Sequence, residues 1–331
     1  MKAIIPVAGA GTKLRPLTYT QPKALIPLAG KTILSVIIDQ LIEAGVTEFV
    51  FVIGYLGEKI QRYIAKNYPH LSYTLITQND RRGTGHAIWL TREAVGDEEV
   101  MIVLGDTVCD YNVKDILSSK VSQIGVRKVD DPRSFGVAEL DDKDRVLRVV
   151  EKPLIPKSNM AMVGIYYIKE GKELFQALDK HLHNRADEDG EYHLTNALQH
   201  MIENGIRMQA FRVNNWFDCG KKESLLYTNS VLLKQMEEKA SEPTPTFEGT
   251  VIIPPVSIAE GCNISHSIIG PNVTIGEHTT IHSSIIKDSI IGAYAELEEV
   301  VLNSSIIGSD AYVRGLSQSL NIGDNTEIDL G

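Results

Sequence analysis

Three cations crowd one short glycine-bearing segment near the start of the chain. The run Gly9-Ala10-Gly11-Thr12-Lys13-Leu14-Arg15-Pro16-Leu17-Thr18 is followed by Pro22-Lys23. Glycines let backbone N–H groups approach a ligand closely, and Lys13, Arg15 and Lys23 supply positive charge, so the segment is suited to holding phosphates. It is not a Walker A loop, which needs Gly-Lys-Ser/Thr after four intervening residues. Nor is it a dinucleotide fingerprint, because Leu14 stands where the third glycine belongs. Asp106 closes the apolar run 100–104 as Leu104-Gly105-Asp106, at the carboxyl end of a predicted strand, where open α/β sheets bind ligands. Taken singly, that aspartate reads more often as a turn or cap residue than as a metal ligand. Gln78 alone is a polar strand-end residue, and Glu151-Lys152-Pro153 alone is a solvated turn.

Hydrophobic periodicity predicts the elements that must position these groups. Up to residue 104, short β-rich runs (2–7, 49–53, 72–77, 100–104) alternate with amphipathic helical stretches (33–44, 58–67, 85–95). Strands separated in this way pair in parallel with helices on both faces, which predicts a doubly wound α/β unit. From Gly125 the rhythm shortens. Strands over 136–140, 146–150, 161–168 and 208–213, with helices over 173–181 and 193–203, predict an antiparallel portion and hence a mixed sheet. A helix over 222–239 then meets Ser241-Glu242-Pro243-Thr244-Pro245-Thr246, whose prolines cannot continue it. The expected organisation is a domain over 1–240, a linker at 241–248 and a second domain over 249–331.

Beyond Gly249 the pattern changes in kind. Aliphatic residues recur every five or six positions, at Ile258, Ile264, Ile269, Ile275, Ile281, Ile286, Ile291, Leu297, Leu302, Ile307 and Val313. That period is neither helical nor alternating; it fits hexapeptide repeats, each short strand pointing one aliphatic side chain into the axis of a parallel β-helix. Ile-Gly pairs at 269–270, 275–276, 291–292, 307–308 and 322–323 are expected to form the corners.

Composition bounds the function. A 331-residue chain that is 43% hydrophobic and 23% charged should fold without metal or disulfide staples. Its formal charge of −10 opposes nonspecific binding to nucleic acid or an anionic membrane, so neither is expected as a partner. Cys109, Cys219 and Cys262 form neither a CxxC pair nor a zinc spacing, which fits a reducing cytoplasm. No signal-type segment and no membrane span are expected.

The first motif resembles the signature of the sugar-1-phosphate nucleotidyltransferases, especially the glucose-1-phosphate thymidylyltransferases and uridylyltransferases. That signature is Gly-x-Gly-Thr-Arg-Leu-x-Pro-Leu-Thr followed by Pro-Lys, and residues 9–18 with Pro22-Lys23 follow it except that Lys13 replaces the arginine. Lysine keeps the charge and loses the bidentate fork. The resemblance continues along the whole chain. Gln78 and Gly83-Thr84-Gly85-His86-Ala87 look like the family's base-reading segment, and Trp216-Phe217-Asp218-Cys219-Gly220 resembles its Trp-x-Asp-x-Gly. Residues 191–195 resemble a further family segment, with Asn196 where that segment has an acid.

What the resemblance implies is a nucleotidyltransferase fold, a Rossmann-like mixed sheet, with a C-terminal left-handed β-helix. It implies nucleotide contacts at Ala8, Gly9, Gly11, Thr12, Gln78, Gly83 and Thr84. Sugar contacts fall at Gly136, Glu151, Lys152 and Gly164, a Mg²⁺ pair at Asp106 and Asp218, and catalytic cations at Lys13, Arg15, Lys23 and Lys152. The implied reaction is attack of a sugar-1-phosphate oxygen on the α-phosphorus of dTTP or UTP, giving an NDP-sugar and pyrophosphate. Two other readings stay open: a noncatalytic subunit that binds sugar nucleotides, and an acyltransferase in the β-helix using His266, His278 or His282. A homo-oligomer held partly through the β-helix is expected, because open coil ends and flat faces suit subunit contacts.

Overall fold

β-Branched and aromatic runs separated by amphipathic helices can build a parallel sheet only if both its faces are covered, and the first half of the chain does this. The computed structural model describes residues 1–183, 190–238 and 245–315; the side chain of Asp218 lies outside the described residues. Lys2–Pro6 lies between Val100–Val103 and Glu48–Ile53, and Ser72–Thr77 follows at the edge, all parallel. The helix Ile33–Glu43 begins where Thr32 Oγ1 accepts from Ser35 N at 3.1 Å, a side-chain cap. It buries Ile33, Leu34, Ile37, Ile38 and Leu41, the apolar stripe of a 3.6-residue period.

On the other side of Val100–Val103 the sheet turns antiparallel, as the shortened rhythm predicted. Met160–Ile168 pairs with Val100–Val103, with the strand Gly136–Leu140 of a hairpin completed by Val146–Glu151, and with Ser122–Lys128. Met208–Arg212 then adds in parallel to Ser122–Lys128. The result is a nine-stranded mixed sheet. Three features differ from the sequence reading. The strand Ser122–Lys128, buried over its first five residues, has no polar alternation to announce it. A two-stranded ladder, Thr107–Asp110 against Asn215–Asp218, arises from two segments to which the sequence reading assigned no element. The helix expected over 85–95 is divided into Thr84–Trp89 and Arg92–Val95, because Thr91 Oγ1 bonds back to Ile88 O at 2.7 Å.

Two compact units result, Met1–Thr228 and the remainder from Asn229, so the division falls inside the helix Lys222–Glu237. The linker expected at 241–248 lies partly outside the described residues, as do the Ile322-Gly323 pair and the rest of 316–331. In the second unit, twelve short strands form three parallel stacks of four, the cross-section of a triangular β-helix, in keeping with the left-handed hexapeptide type. Ile264, Ile269, Ile275, Ile281, Ile286, Ile291 and Leu297 fill its axis.

The corners correct one expectation. Positive φ falls on His266, Asn272, His278, Ser283, Asp288, Tyr294, Glu299, Ser304 and Asp310, once every five or six residues, and of the glycines in the predicted Ile-Gly pairs only Gly270 has it among the described residues, at φ 110°. Glycines 276 and 292 serve another need: a Cβ there would come within 2.5 Å and 2.4 Å of Ala293 N and Ser309 N in the next coil. Coil-to-coil contact, and not chain reversal, excludes their side chains. Ile286 is fully buried in the stack, so Ile286→Ala should destabilise the β-helix by about 2–5 kcal/mol. A urea midpoint unchanged from the parent would contradict this account of the axis.

Candidate active site

The strand Lys2–Pro6 releases the chain into the glycine segment at the carboxyl edge of the sheet, and Val7 N still bonds Val52 O at 2.8 Å. Gly11 then takes a left-handed φ of 61° and caps the 3₁₀ turn Thr12–Leu14. A Cβ at Gly11 would lie 2.9 Å from Thr18 Cγ2 and 3.1 Å from Lys23 Cβ, so conformation and space both require glycine. Thr18 Oγ1 donates to Gly11 O at 2.8 Å and pins the loop against the following turns. At Gly9 a Cβ would meet nothing within 4 Å, because the space beside it is cavity.

That cavity, about 610 Å³, brings together all the nucleotide candidates. Ala8, Gly9, Gly11, Thr12 and Lys23 line one part, Gln78, Gly83 and Thr84 another, and Asp106 a third. Arg81 lines it too, a cation to which the sequence reading assigned no role. Lys13 and Arg15 are exposed and do not line it; the Arg15 guanidinium lies over the Tyr19 ring, 4.9 Å from its centroid.

A second cavity of about 280 Å³ holds the sugar candidates Gly136, Glu151, Lys152 and Gly164. It shares Thr84, Leu104, Asp106 and Glu191 with the first, so the two form one cleft with Asp106 at their junction. Gly164 sits where the pairing of Met160–Ile168 with Ser122–Lys128 slips, at φ 83°. This is a bulge beside a site, and Leu104 N bonds its carbonyl at 2.9 Å. Glu151 is fixed by residues that the resemblance marked without giving them a role. Thr195 Oγ1 donates to Glu151 Oε2 at 2.6 Å, and His193 Nδ1 lies 3.8 Å from Oε1. Lys152 Nζ is 3.7 Å from the same oxygen. The buried Tyr166 hydroxyl beside them has its pKa raised by desolvation first and by the Glu151 charge second, so it stays protonated.

The segments that line the two cavities are tied together by backbone. Gly85 N bonds Tyr192 O at 2.7 Å, Tyr192 N bonds Arg82 O at 2.8 Å, and Leu194 N bonds Thr84 Oγ1 at 3.1 Å. No signal in either segment alone foretells this crossing, because it joins residues about a hundred positions apart.

Backbone pairing brings positions 106 and 218 near each other. Asp218 stands opposite Thr107 in the antiparallel ladder, and Cys219 N donates to Asp106 O at 3.2 Å. Residues 106 and 218 are therefore diagonal neighbours, one residue out of direct register. The Asp106 carboxylate accepts from Lys23 Nζ at 2.6 Å, an ion pair at the junction of the cavities. Hard carboxylate oxygens on an open cleft suit a divalent cation whose remaining ligands are water and phosphate. Among the described residues no three His, Cys, Asp or Glu side chains gather into a self-sufficient cage.

The model of one family, described as nucleotidyl transferase, matches residues 2–235. The chain belongs to the nucleotidyl transferase family. It is 29% identical to a glucose-1-phosphate thymidylyltransferase of Streptomyces antibioticus, over 100% of this chain and 99% of that one. It is 33% identical to a bifunctional protein GlmU of Methanococcus vannielii, over 94% of this chain and 78% of that one. A solved UDP-glucose pyrophosphorylase in complex with UDP-glucose superposes with a TM-score of 0.63 at 22% identity, covering 71% of this chain and 98% of that one. This last likeness is one of fold. Among the described residues no helix is long and apolar enough to cross a membrane.

Within this nucleotidyl transferase the loop at Gly11 makes a direct structural demand. Gly11→Ala should lower stability by about 1–3 kcal/mol, since an L residue is strained at that φ and its methyl meets Thr18. A melting temperature equal to the parent's would refute that reading of the loop.

Proposed function

We propose that the protein joins a sugar-1-phosphate, glucose-1-phosphate first among them, to the nucleotidyl group of dTTP or UTP and releases pyrophosphate. One observation carries this reading: a cavity lined by the glycine segment and Gln78 meets a second one lined by Glu151 and Lys152, with Asp106 at their junction. A nucleotide in the first and a sugar phosphate in the second would touch there. The names of the Streptomyces thymidylyltransferase and of the pyrophosphorylase that shares the fold agree with it.

In the reaction an oxygen of the sugar phosphate attacks the α-phosphorus, a new P–O bond forms, and the bond to the β-phosphate oxygen breaks. Pyrophosphate leaves with the electron pair, and no covalent enzyme intermediate is needed. Both reactants are polyanions, so their mutual repulsion is the main obstacle in a protein of charge −10. Lys23 would neutralise the nucleotide phosphates from inside the cleft and Lys152 the sugar phosphate, while Lys13 and Arg15 act from the exposed loop. Backbone N–H groups of residues 8–12 would hold phosphate oxygens, Gln78 with Gly83 and Thr84 would face the base, and Glu151 would accept from sugar hydroxyls. We assign Asp106 and Asp218 to Mg²⁺, which when bound would screen the phosphate charge at the junction and help orient the reactants.

Cys109, Cys219 and Cys262 are free thiols, which fits a cytoplasmic setting. Self-association through the β-helix is part of the same reading: Val251, Ile268, Ile285 and Val301 are cross-strand neighbours on one stack and remain partly exposed. A single-chain mass in light scattering would overturn it.

Pyrophosphate release from dTTP or UTP with glucose-1-phosphate and magnesium tests the reaction; a silent protein that still binds nucleotide would favour the noncatalytic reading. Asp106→Ala and Asp218→Ala should each lower kcat about a hundredfold with the fold intact, and chelation by EDTA should stop turnover. Normal rates in both variants would refute the metal assignment. Thr195→Val removes the bond that orients Glu151, so the KM for the sugar phosphate should rise about tenfold while that for the nucleotide stays within about twofold. Equal shifts in both constants would show that Glu151 does not face the sugar.

A further inference from the structure

A glutamine amide can offer a base either its carbonyl oxygen or its NH₂ group, and a half-turn of the amide exchanges them. Which of the two meets the ligand decides which bases fit. Gln78 lines the larger cavity, and its Nε2 lies 3.2 Å from Gly83 O and 3.0 Å from His86 Nδ1. The Gly83 carbonyl can only accept, so the NH₂ group belongs on that side. Its second proton then needs another acceptor, and a neutral His86 protonated on Nε2 provides one at Nδ1.

The surroundings of His86 keep it in that form. Burial first, and the Arg82 charge second, hold its pKa below the ordinary histidine value; Asp80 opposes them by its charge and a backbone hydrogen bond. The imidazole also stacks on the Trp89 ring at 6.1 Å between centroids, which limits its rotation. A half-turn of the Gln78 amide would place Oε1 against Gly83 O and break both bonds. In the observed arrangement Oε1 has no hydrogen-bond donor among the described residues.

We propose that His86 is a positioning residue for base selection: by accepting from Gln78 Nε2 it commits Oε1 to the base and favours bases with an N–H at the centre of their pairing edge. Thymine and uracil carry an imide N3–H at that place. Cytosine carries a lone pair there and would face Oε1 with another acceptor. The inference rests on the proposed nucleotide site but not on turnover.

Binding of UTP and CTP, measured by calorimetry with magnesium, and pyrophosphate release from each nucleotide test it together. The parent should prefer UTP by at least about tenfold, the cost of one misplaced hydrogen bond. His86→Ala and the bulkier His86→Leu should bring the ratio to within about threefold through KM, with kcat for UTP changed by less than about threefold. His86→Asn, whose side-chain carbonyl can take the place of Nδ1, should restore most of the preference. In a Gln78→Ala background, His86→Ala should leave the ratio unchanged, because its effect passes through the amide. A parent that binds both nucleotides equally, a ratio preserved in the Ala and Leu variants, or additive effects in the double variant would each overturn the proposal. Selective binding without pyrophosphate release would instead sink the proposed reaction and leave the role of His86 standing.

Discussion

A four-residue ladder, Thr107–Asp110 against Asn215–Asp218, is the joint on which the cleft depends. The parallel strands can present side chains only along their carboxyl edge, and each contributes from its own stretch of sequence. The ladder adds a second source. It lays residue 218 beside residue 106 and sets Trp216, which lines the smaller cavity, opposite Cys109. Thr107 Oγ1 also donates to Val163 O at 3.0 Å, so the ladder is bonded to the bulge that carries Gly164. Loss of this pairing would separate positions 106 and 218 and loosen the wall of the smaller cavity together.

Charge explains why the cleft is built from so few cations. The chain has 33 basic and 43 acidic residues, and a strongly positive pocket would have to form against that background. Lys23 is instead held by Asp106, while Lys152 and His193 approach Glu151. Lys23 and Lys152 thus each have a carboxylate close by, and an incoming anion would compete for them. Such pairing places the donors in advance.

The two units solve the burial problem differently. The mixed sheet depends on long-range pairing, so its core residues Ile4, Val52, Ile102, Ile124 and Tyr166 come from distant parts of the sequence. The β-helix stacks each coil on its neighbour about sixteen or seventeen residues away, as in the register of Ile264 with Ile281 and of Ile281 with Leu297. Mostly polar residues at its corners, with Gly249, Gly261 and Gly270, take the left-handed conformation, while Gly276 and Gly292 stand where one coil presses on the next. A repeat of this kind is readable from its period even when a corner residue is misjudged.

Local pattern alone was sufficient for the alternating strands and most of the helices up to residue 104, and for the aliphatic period of the β-helix, because each reflects contacts between near neighbours in the chain. Tertiary structure decided the rest. It split the helix after Trp89, left Lys13 and Arg15 outside the cavity lining that Lys23 joins, and gave Thr195 and His193 the task of holding Glu151. It also paired two unassigned segments, 107–110 and 215–218, into a ladder. Periodicity records which face of an element is apolar, but the pairing of distant backbones and the direction of a side chain into shared space depend on partners that no local window contains.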